Sequence, residues 1–125
     1  MNYISTRDTA VKVTASQAIT KGISSEGGLF VPEALPKVSL DRISELSKLD
    51  YIGRAKSILS LFLTDFTEDE VDSCVKGAYE TGFSDAKVAP LAKIEDGVHI
   101  LELFKGPTCA FKDMALQILP RLLTV

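Results

Sequence analysis

The chain has 125 residues, of which 46% are hydrophobic and 25% are charged, a mixture that is typical of a folded globular domain and excludes a disordered tail. Its 14 basic and 17 acidic residues give a net charge of -3 and form no basic stripe, so nucleic-acid binding is not predicted. No apolar run approaches the roughly 18 residues of a membrane span, and the N-terminus lacks the order of a secretion signal, so we expect a cytoplasmic protein with no membrane partner.

The N-terminal residues carry the signals of a small sheet. Tyr3 to Thr6 and Val11 to Val13 have the short, branched character of strands, and they flank a polar turn. Leu29 to Val31 predicts a third strand. Pro32 brings this strand to a close, because proline cannot donate to a strand ladder.

Four helices are predicted, and each follows a side chain that can cap its N-terminus. The predicted caps are Thr14, Ser39, Asp50 and Thr67. The first and the last of them form capping boxes, which Gln17 and Glu70 complete. The first helix runs from about Ala15 to Lys21 and ends at Gly22, and the fourth stops at Gly82. Apolar residues recur along one face of the other three helices, so we expect these faces to be buried.

A hairpin and an apolar ending follow the helices. Leu91 to Glu95 and Val98 to Phe104 flank Asp96 and Gly97, which is a strong signal for a two-residue hairpin. The leucine-rich stretch Met114 to Leu123 predicts a helix whose apolar face has little left in this chain to cover it. Because the sequence stops directly after that stretch, we expect a fragment of a longer protein, able to self-associate through this helix.

The stretch that carries chemistry reads LELFKGPTCAFKDMALQ, from Leu101 to Gln117. It predicts a strand, a tight turn at Gly106 and Pro107, and a helix that starts near Ala110 to Asp113. Lys112 then lies in the first helical turn, close to the positive end of the helix dipole, which helps to free its amine as a nucleophile. Burial between the strand and the helix would act in the same direction. Lys112 is therefore a candidate for forming an imine.

This segment resembles the cofactor-lysine motif of the threonine synthases, which are pyridoxal-phosphate enzymes of fold-type II. The matching residues are Gly106, Pro107, Thr108, Ala110, Phe111, Lys112, Asp113, Ala115, Leu116 and Gln117. Tyr3 to Arg7 and Gly22 to Pro32 agree in order and spacing with the start of that family. The resemblance departs at two positions, where Lys105 replaces a frequent histidine and Asp8 replaces a frequent glycine.

The resemblance implies a reaction and a role for one residue. Lys112 would be both the cofactor-binding and the catalytic residue, linking pyridoxal phosphate and then removing the alpha proton of O-phospho-L-homoserine. Water and this substrate would give L-threonine and phosphate. The family holds the cofactor phosphate in a glycine-rich loop that these residues lack, so we expect the fragment alone to be inactive.

Most other candidate residues have a structural interpretation that we favour. We expect Phe111 and Cys109 to be packed, Thr108 to cap the turn and Asp113 to interact with the helix dipole. Three candidates lie elsewhere in the chain. Arg7 suits either a substrate phosphate or a surface ion pair. We expect His99 at a half-exposed strand position and Cys74 as a buried thiol. The two cysteines have no partners at metal spacing, so no metal site is predicted.

The sequence therefore predicts an α/β fold with two parts. Residues 1–90 would form the N-terminal domain of mixed small sheet and helices, and residues 91–125 would begin the pyridoxal-phosphate domain. Two other functions remain open. One is a different lyase of the same fold type, such as a threonine dehydratase or a cysteine synthase, against which the Gly-Pro-Thr turn argues. The other is a non-catalytic module that resembles threonine synthase and acts by binding a partner.

Overall fold

A three-stranded antiparallel sheet opens the fold in the computed structural model, which describes residues 1–125. The central strand β1 (Tyr3–Ser5) lies between β2 (Lys12–Val13) and β3 (Phe30–Pro32). The predicted sheet is confirmed, with its third strand shifted by one residue. Pro32 is the last residue of this edge strand, a position where a missing N–H group is tolerated.

Four capped helices follow the order that the sequence predicts. They are α1 (Ala15–Lys21), α2 (Leu40–Leu46), α3 (Tyr51–Phe62) and α4 (Glu68–Tyr79). Each of the four predicted caps accepts a hydrogen bond from the backbone N–H three residues later, and both capping boxes are complete. Gly22 ends α1 with a φ of 69°, whereas α4 ends at Tyr79, before the predicted stop at Gly82.

The core is built around α4, because this helix buries a whole face. The buried residues of α4 are Val71, Cys74, Val75, Ala78 and Tyr79. The other members of the same cluster are Ala15, Leu63, Val88, Ile118 and Leu122. The prediction that every amphipathic helix buries its apolar face is wrong for α2, where Leu46 is buried but Leu40 is 83% exposed and Ile43 is 52% exposed. It is met only in part for α3, whose apolar residues pack against the core without any of them being fully buried.

The hairpin comprises β4 (Leu91–Glu95) and β5 (Val98–Leu101), joined at Gly97 with a φ of 80°. The hairpin is confirmed, but β5 ends before the predicted Phe104. The Glu102 N–H still donates to the Pro90 carbonyl at 2.9 Å, but Pro90 has no N–H to donate in return, so the ladder ends at Leu101. All but one of the strand residues are exposed, so the hairpin contributes little to the core.

The predicted helix from Met114 to Leu123 is divided in two. The structure has α5 (Asp113–Leu116) and α6 (Leu119–Leu122), each of four residues. Pro120 explains the break, since it has no N–H to donate to the Leu116 carbonyl and its ring crowds that group. None of the helices has the length and apolar character needed to cross a membrane.

Among the polar contacts that connect separate elements, two hold α1 and α5 in place. Between α3 and α4, Asp65 accepts hydrogen bonds from the Ser16 backbone at 3.0 Å and from the Ser16 hydroxyl at 2.6 Å, at the start of α1. Burial raises the pKa of Asp65, but the hydrogen bonds from Ser16 outweigh burial and bring the pKa to about 2. This lowered pKa means that the charged carboxylate stabilises the folded state.

The second contact holds α5 to the core. The Tyr79 hydroxyl donates to the Met114 carbonyl at 2.7 Å, and Tyr51 packs edge-on against the Tyr79 ring with 5.1 Å between centroids. Burial raises the pKa of Tyr79 to about 12, so the phenol stays protonated and able to donate. The Met114 carbonyl needs this partner, since the Ile118 N–H donates to Ala115 instead.

Asp65→Asn should lower the free energy of unfolding at pH 7 by about 1 kcal/mol, a value reduced by the exposure of the pair to solvent. A carboxyl with a lowered folded pKa stabilises the protein above its unfolded pKa of 3.8, and this contribution is lost as the pH falls toward about 2. Thermal unfolding from pH 7 to pH 2 should show the gap between variant and wild type closing. Glu95→Gln, on the exposed hairpin, is the control, and a gap that stays constant with pH would contradict the assignment.

Tyr79→Phe should destabilise the chain by about 1–2 kcal/mol, because it leaves the Met114 carbonyl without its donor. Tyr51→Phe keeps the neighbouring ring and serves as the matched control, with a smaller expected change. Denaturant unfolding measures both variants. Equal losses in the two would show that the hydroxyl of Tyr79 has no special role.

Candidate functional site

The candidate site is the segment between Lys105 and Asp113, and its entry is fixed to the core. The Lys105 carbonyl accepts hydrogen bonds from the Ser84 backbone N–H at 2.8 Å and from the Ser84 hydroxyl at 3.2 Å. Ser84 follows α4 closely in the chain. The site is thus joined to the region of α4 at its entry through Ser84 and, just beyond its exit, through Tyr79.

Gly106 begins a tight turn in which no side chain fits. Its carbonyl accepts a hydrogen bond from the Cys109 N–H at 3.0 Å. A Cβ atom added at Gly106 would lie 2.5 Å from the Asp113 Cβ and 2.6 Å from the Asp113 Oδ2, both far inside contact distance. Glycine is therefore needed here for the close approach of the backbone to Asp113.

Asp113 is the buried polar centre of the segment, with 1% of its surface exposed. Its Oδ2 accepts a hydrogen bond from the Thr108 backbone N–H at 2.9 Å, and its Oδ1 accepts one from the Thr108 hydroxyl at 2.8 Å. We call this pair of hydrogen bonds the Thr108–Asp113 clamp. The expectation that Asp113 interacts with the helix dipole missed this role, although Thr108 does stabilise the turn as predicted.

Lys112 lies on the surface, at the N-cap position of α5. Its carbonyl accepts hydrogen bonds from the Ala115 and Leu116 N–H groups, so its backbone is held, and its ammonium group is in none of the salt bridges of the chain. Its predicted burial between strand and helix is wrong. The dipole argument is also weak here, because α5 has only four residues.

The neighbouring Lys105 has a different environment from Lys112. Its Nζ lies 3.0 Å from Glu102 Oε2 and 5.1 Å from the centroid of the Phe104 ring, and its side chain is 25% exposed. An ammonium held by both a carboxylate and an aromatic ring is a poor nucleophile. Of these two lysines, Lys112 has the freer amine.

Two further residues of the motif are placed otherwise than expected. Phe111 is 67% exposed, so its prediction as a core residue is wrong. Cys109 is exposed as well, and its φ of 58° lies in the left-handed region that non-glycine residues seldom adopt. Both side chains project from the same turn as Lys112. Their exposure could not be found from the sequence, since it results from the inward position of Asp113.

The remaining candidates lie outside the segment. Arg7 donates to the Glu26 carbonyl at 3.0 Å and fills the space beside Gly27, so one side of its guanidinium holds a turn. His99 lies on β5 and is exposed. Cys74 is buried in α4, as predicted.

The residues around Lys112 fit one part of pyridoxal phosphate. A primary amine without an ion-pair partner suits the cofactor aldehyde, which condenses with such a group. Lys112 lines none of the five cavities of the chain, and the nearest in sequence, a cavity of about 400 Å³ between α3 and the hairpin, is lined by Met114. These residues therefore offer the linking amine without the walls of a cofactor pocket.

The chain also shows no glycine loop that could hold the cofactor phosphate. Gly27 and Gly28 are the only adjacent pair of glycines. The space where a Cβ would lie is taken by the Arg7 guanidinium at Gly27 and by the Ser5 hydroxyl at Gly28. This pair is a packed turn.

Comparison with known proteins gives consistent matches. The family model described as "Threonine synthase N terminus" matches residues 2–79. Threonine synthase from Escherichia coli (strain K12) is 38% identical over 125 residues, and threonine synthase-like 2 from Homo sapiens is 34% identical over 119 residues. The crystal structure of threonine synthase from Brucella melitensis with bound pyridoxal phosphate superposes with a TM-score of 0.93 at 34% identity.

These matches cover nearly all of this chain and a small part of the others. The chain is covered to 99%, 94% and 98% in the three comparisons, whereas the E. coli protein is covered to 28%, the human protein to 24% and the Brucella chain to 26%. The chain thus spans about a quarter of the length of its relatives. With a family model that matches more than half of its residues, the chain belongs to the threonine synthase N-terminus family.

Proposed function

We propose that this chain supplies the cofactor-linking lysine, Lys112, of a threonine synthase that converts O-phospho-L-homoserine and water to L-threonine and phosphate. The observation that carries the proposal is the free amine of Lys112 on a backbone held by the Thr108–Asp113 clamp. Its support from outside the chain is the superposition on a threonine synthase that binds pyridoxal phosphate.

Lys112 would act twice in this reaction. Its Nζ would first hold the cofactor through the aldehyde carbon, and after release it would take the proton from the alpha carbon of the substrate. When bound, pyridoxal phosphate supplies the electron sink that makes this proton acidic. The exposed position of Lys112 leaves room for both cofactor and substrate on the open side of the turn.

The division of the chain at residue 90 is part of the proposal. Residues 1–90 would form the N-terminal domain, and the family match over residues 2–79 supports this part. Residues 91–125 would begin the cofactor domain, and the separate two-stranded sheet that starts at Leu91 supports that part. Ile118 and Leu122 nevertheless share the core of α4, so the two parts are packed together.

A second candidate function is a non-catalytic module that binds a partner. The observation in its favour is the 34% identity to human threonine synthase-like 2, whose name does not state an activity. The alternative of a dehydratase or a cysteine synthase has no comparable support, since the family model is that of threonine synthase. The two remaining candidates differ in whether Lys112 must react.

Reaction of Lys112 can be tested in a complete enzyme. A chimera is made in which this chain replaces the matching 28% of E. coli threonine synthase. We call this chimera the joined protein. After incubation with pyridoxal phosphate and borohydride reduction, peptide mapping should find the cofactor on Lys112 and not on Lys105. An unmodified Lys112 in a folded joined protein would contradict the proposal.

Activity should depend on the same amine. The 125-residue chain alone should form no threonine, because it has no cofactor pocket, whereas the joined protein should be active. Lys112→Ala should lower its kcat by at least about a thousandfold, the size of loss typical for a residue that acts as a proton base. Lys93→Ala, on the exposed hairpin, is the matched lysine control. Full activity of Lys112→Ala would contradict the proposed role of Lys112, and an inactive wild-type joined protein whose fold is intact would favour the binding module.

A further inference from the structure

Asp113 is buried without being part of the hydrophobic core. With 1% of its surface exposed, its carboxylate is costly to bury unless its oxygens have partners. Each carboxylate oxygen accepts one hydrogen bond, and both donors, the backbone N–H and the hydroxyl, belong to Thr108 in the same turn. The carboxylate therefore stabilises one short loop and contacts no distant element through these bonds.

That loop contains Lys112. Thr108 and Asp113 are its two ends, and the Asp113 N–H donates to the Ala110 carbonyl at 3.0 Å inside it. Cys109 keeps a φ of 58° in the same loop, a conformation that costs about 1 kcal/mol or more for a residue with a side chain. The Thr108–Asp113 clamp offsets this strain and joins Thr108, four residues before Lys112, to the residue directly after it.

We infer that Asp113 is the positioning residue for Lys112, an inference that rests on the proposed function of this lysine. Asp113 holds the backbone while the Lys112 side chain stays free to react. The backbone position from which the amine reaches the cofactor is therefore fixed. Displacement of a reacting group by about 1 Å can reduce a rate about a hundredfold. The two hydrogen bonds of the clamp close the loop that contains Lys112, so they would prevent such a displacement.

A purely structural role for Asp113 needs a matched comparison, and the chain offers one. Asp65, between α3 and α4, also accepts hydrogen bonds from a backbone N–H and a hydroxyl of a single residue, Ser16, at the start of α1. Asp113→Ala and Asp65→Ala each remove a carboxylate with two such hydrogen bonds. Only the first of them frees the loop that contains Lys112.

The test measures the cofactor adduct on Lys112 in the joined protein, at a temperature where every variant is folded. Asp113→Ala should reduce the rate of adduct formation on Lys112 by about tenfold or more, and should lower kcat with little change in KM. Asp65→Ala should leave both unchanged even if it lowers the melting temperature. Asp113→Asn should restore most of the rate, because its amide can accept from the Thr108 N–H and donate to the Thr108 hydroxyl.

The outcomes separate this inference from the proposed function. A wild-type joined protein without an adduct on Lys112 would contradict the proposed function itself. A normal adduct rate in Asp113→Ala, or an equal loss in Asp65→Ala, would overturn only the role of Asp113. If Asp113→Ala fails to unfold cooperatively, Thr108→Val and Thr108→Ser decide instead: the loss of the hydroxyl should slow the adduct and serine should restore it, and equal rates in the two would overturn the inference.

Discussion

The buried face of α4 is the constraint on which the rest of this structure depends. It forms half of the central cluster, and α1, α3 and α6 all contribute residues that pack around it. Burial of apolar surface is the main source of stability in a chain of this size, so this helix fixes the frame to which the loops are attached. The segment with Lys112 contributes no buried apolar residue itself. Its position is set by polar contacts to the vicinity of α4, through Ser84 at one end and Tyr79 beyond the other.

This arrangement separates stability from reactivity. Asp113, directly after Lys112, is buried and both of its carboxylate oxygens accept hydrogen bonds, whereas Lys112, Phe111 and Cys109 are all exposed. An exposed amine on a rigid support suits a binding or catalytic site, because the cost of ordering the backbone is met in advance by folding. The exposed hairpin and the exposed Leu116 and Leu119 lie in the same C-terminal part of the chain. Residues 91–125 therefore bury their apolar side chains less completely than residues 1–90 do.

Local signals in the sequence were enough to predict most of the fold. All four N-caps were correct, because a cap depends on one side chain and an N–H group three residues away. The hairpin at Asp96 and Gly97 was also predicted correctly, because a two-residue turn depends only on adjacent residues. The division of the last helix at Pro120 was missed, although proline is a local signal, because the leucine pattern favoured one continuous helix. The exposed face of α2 could not be predicted, since periodicity shows which residues share a face and not whether a neighbour covers it.

The candidate site was selected from the sequence, but its geometry was not predicted. Family resemblance selected Lys112 over Lys105, whereas the physical difference between them is the contact of Lys105 with Glu102 and Phe104, which the sequence does not show. Asp113 was missed because its burial depends on the absence of a side chain at Gly106, several residues earlier. The left-handed Cys109 is the other sign that was hidden. Natural sequences tend to break local rules where function requires it, so a strained residue beside a buried carboxylate, both within a few positions of a free amine, makes this turn the candidate site of the chain.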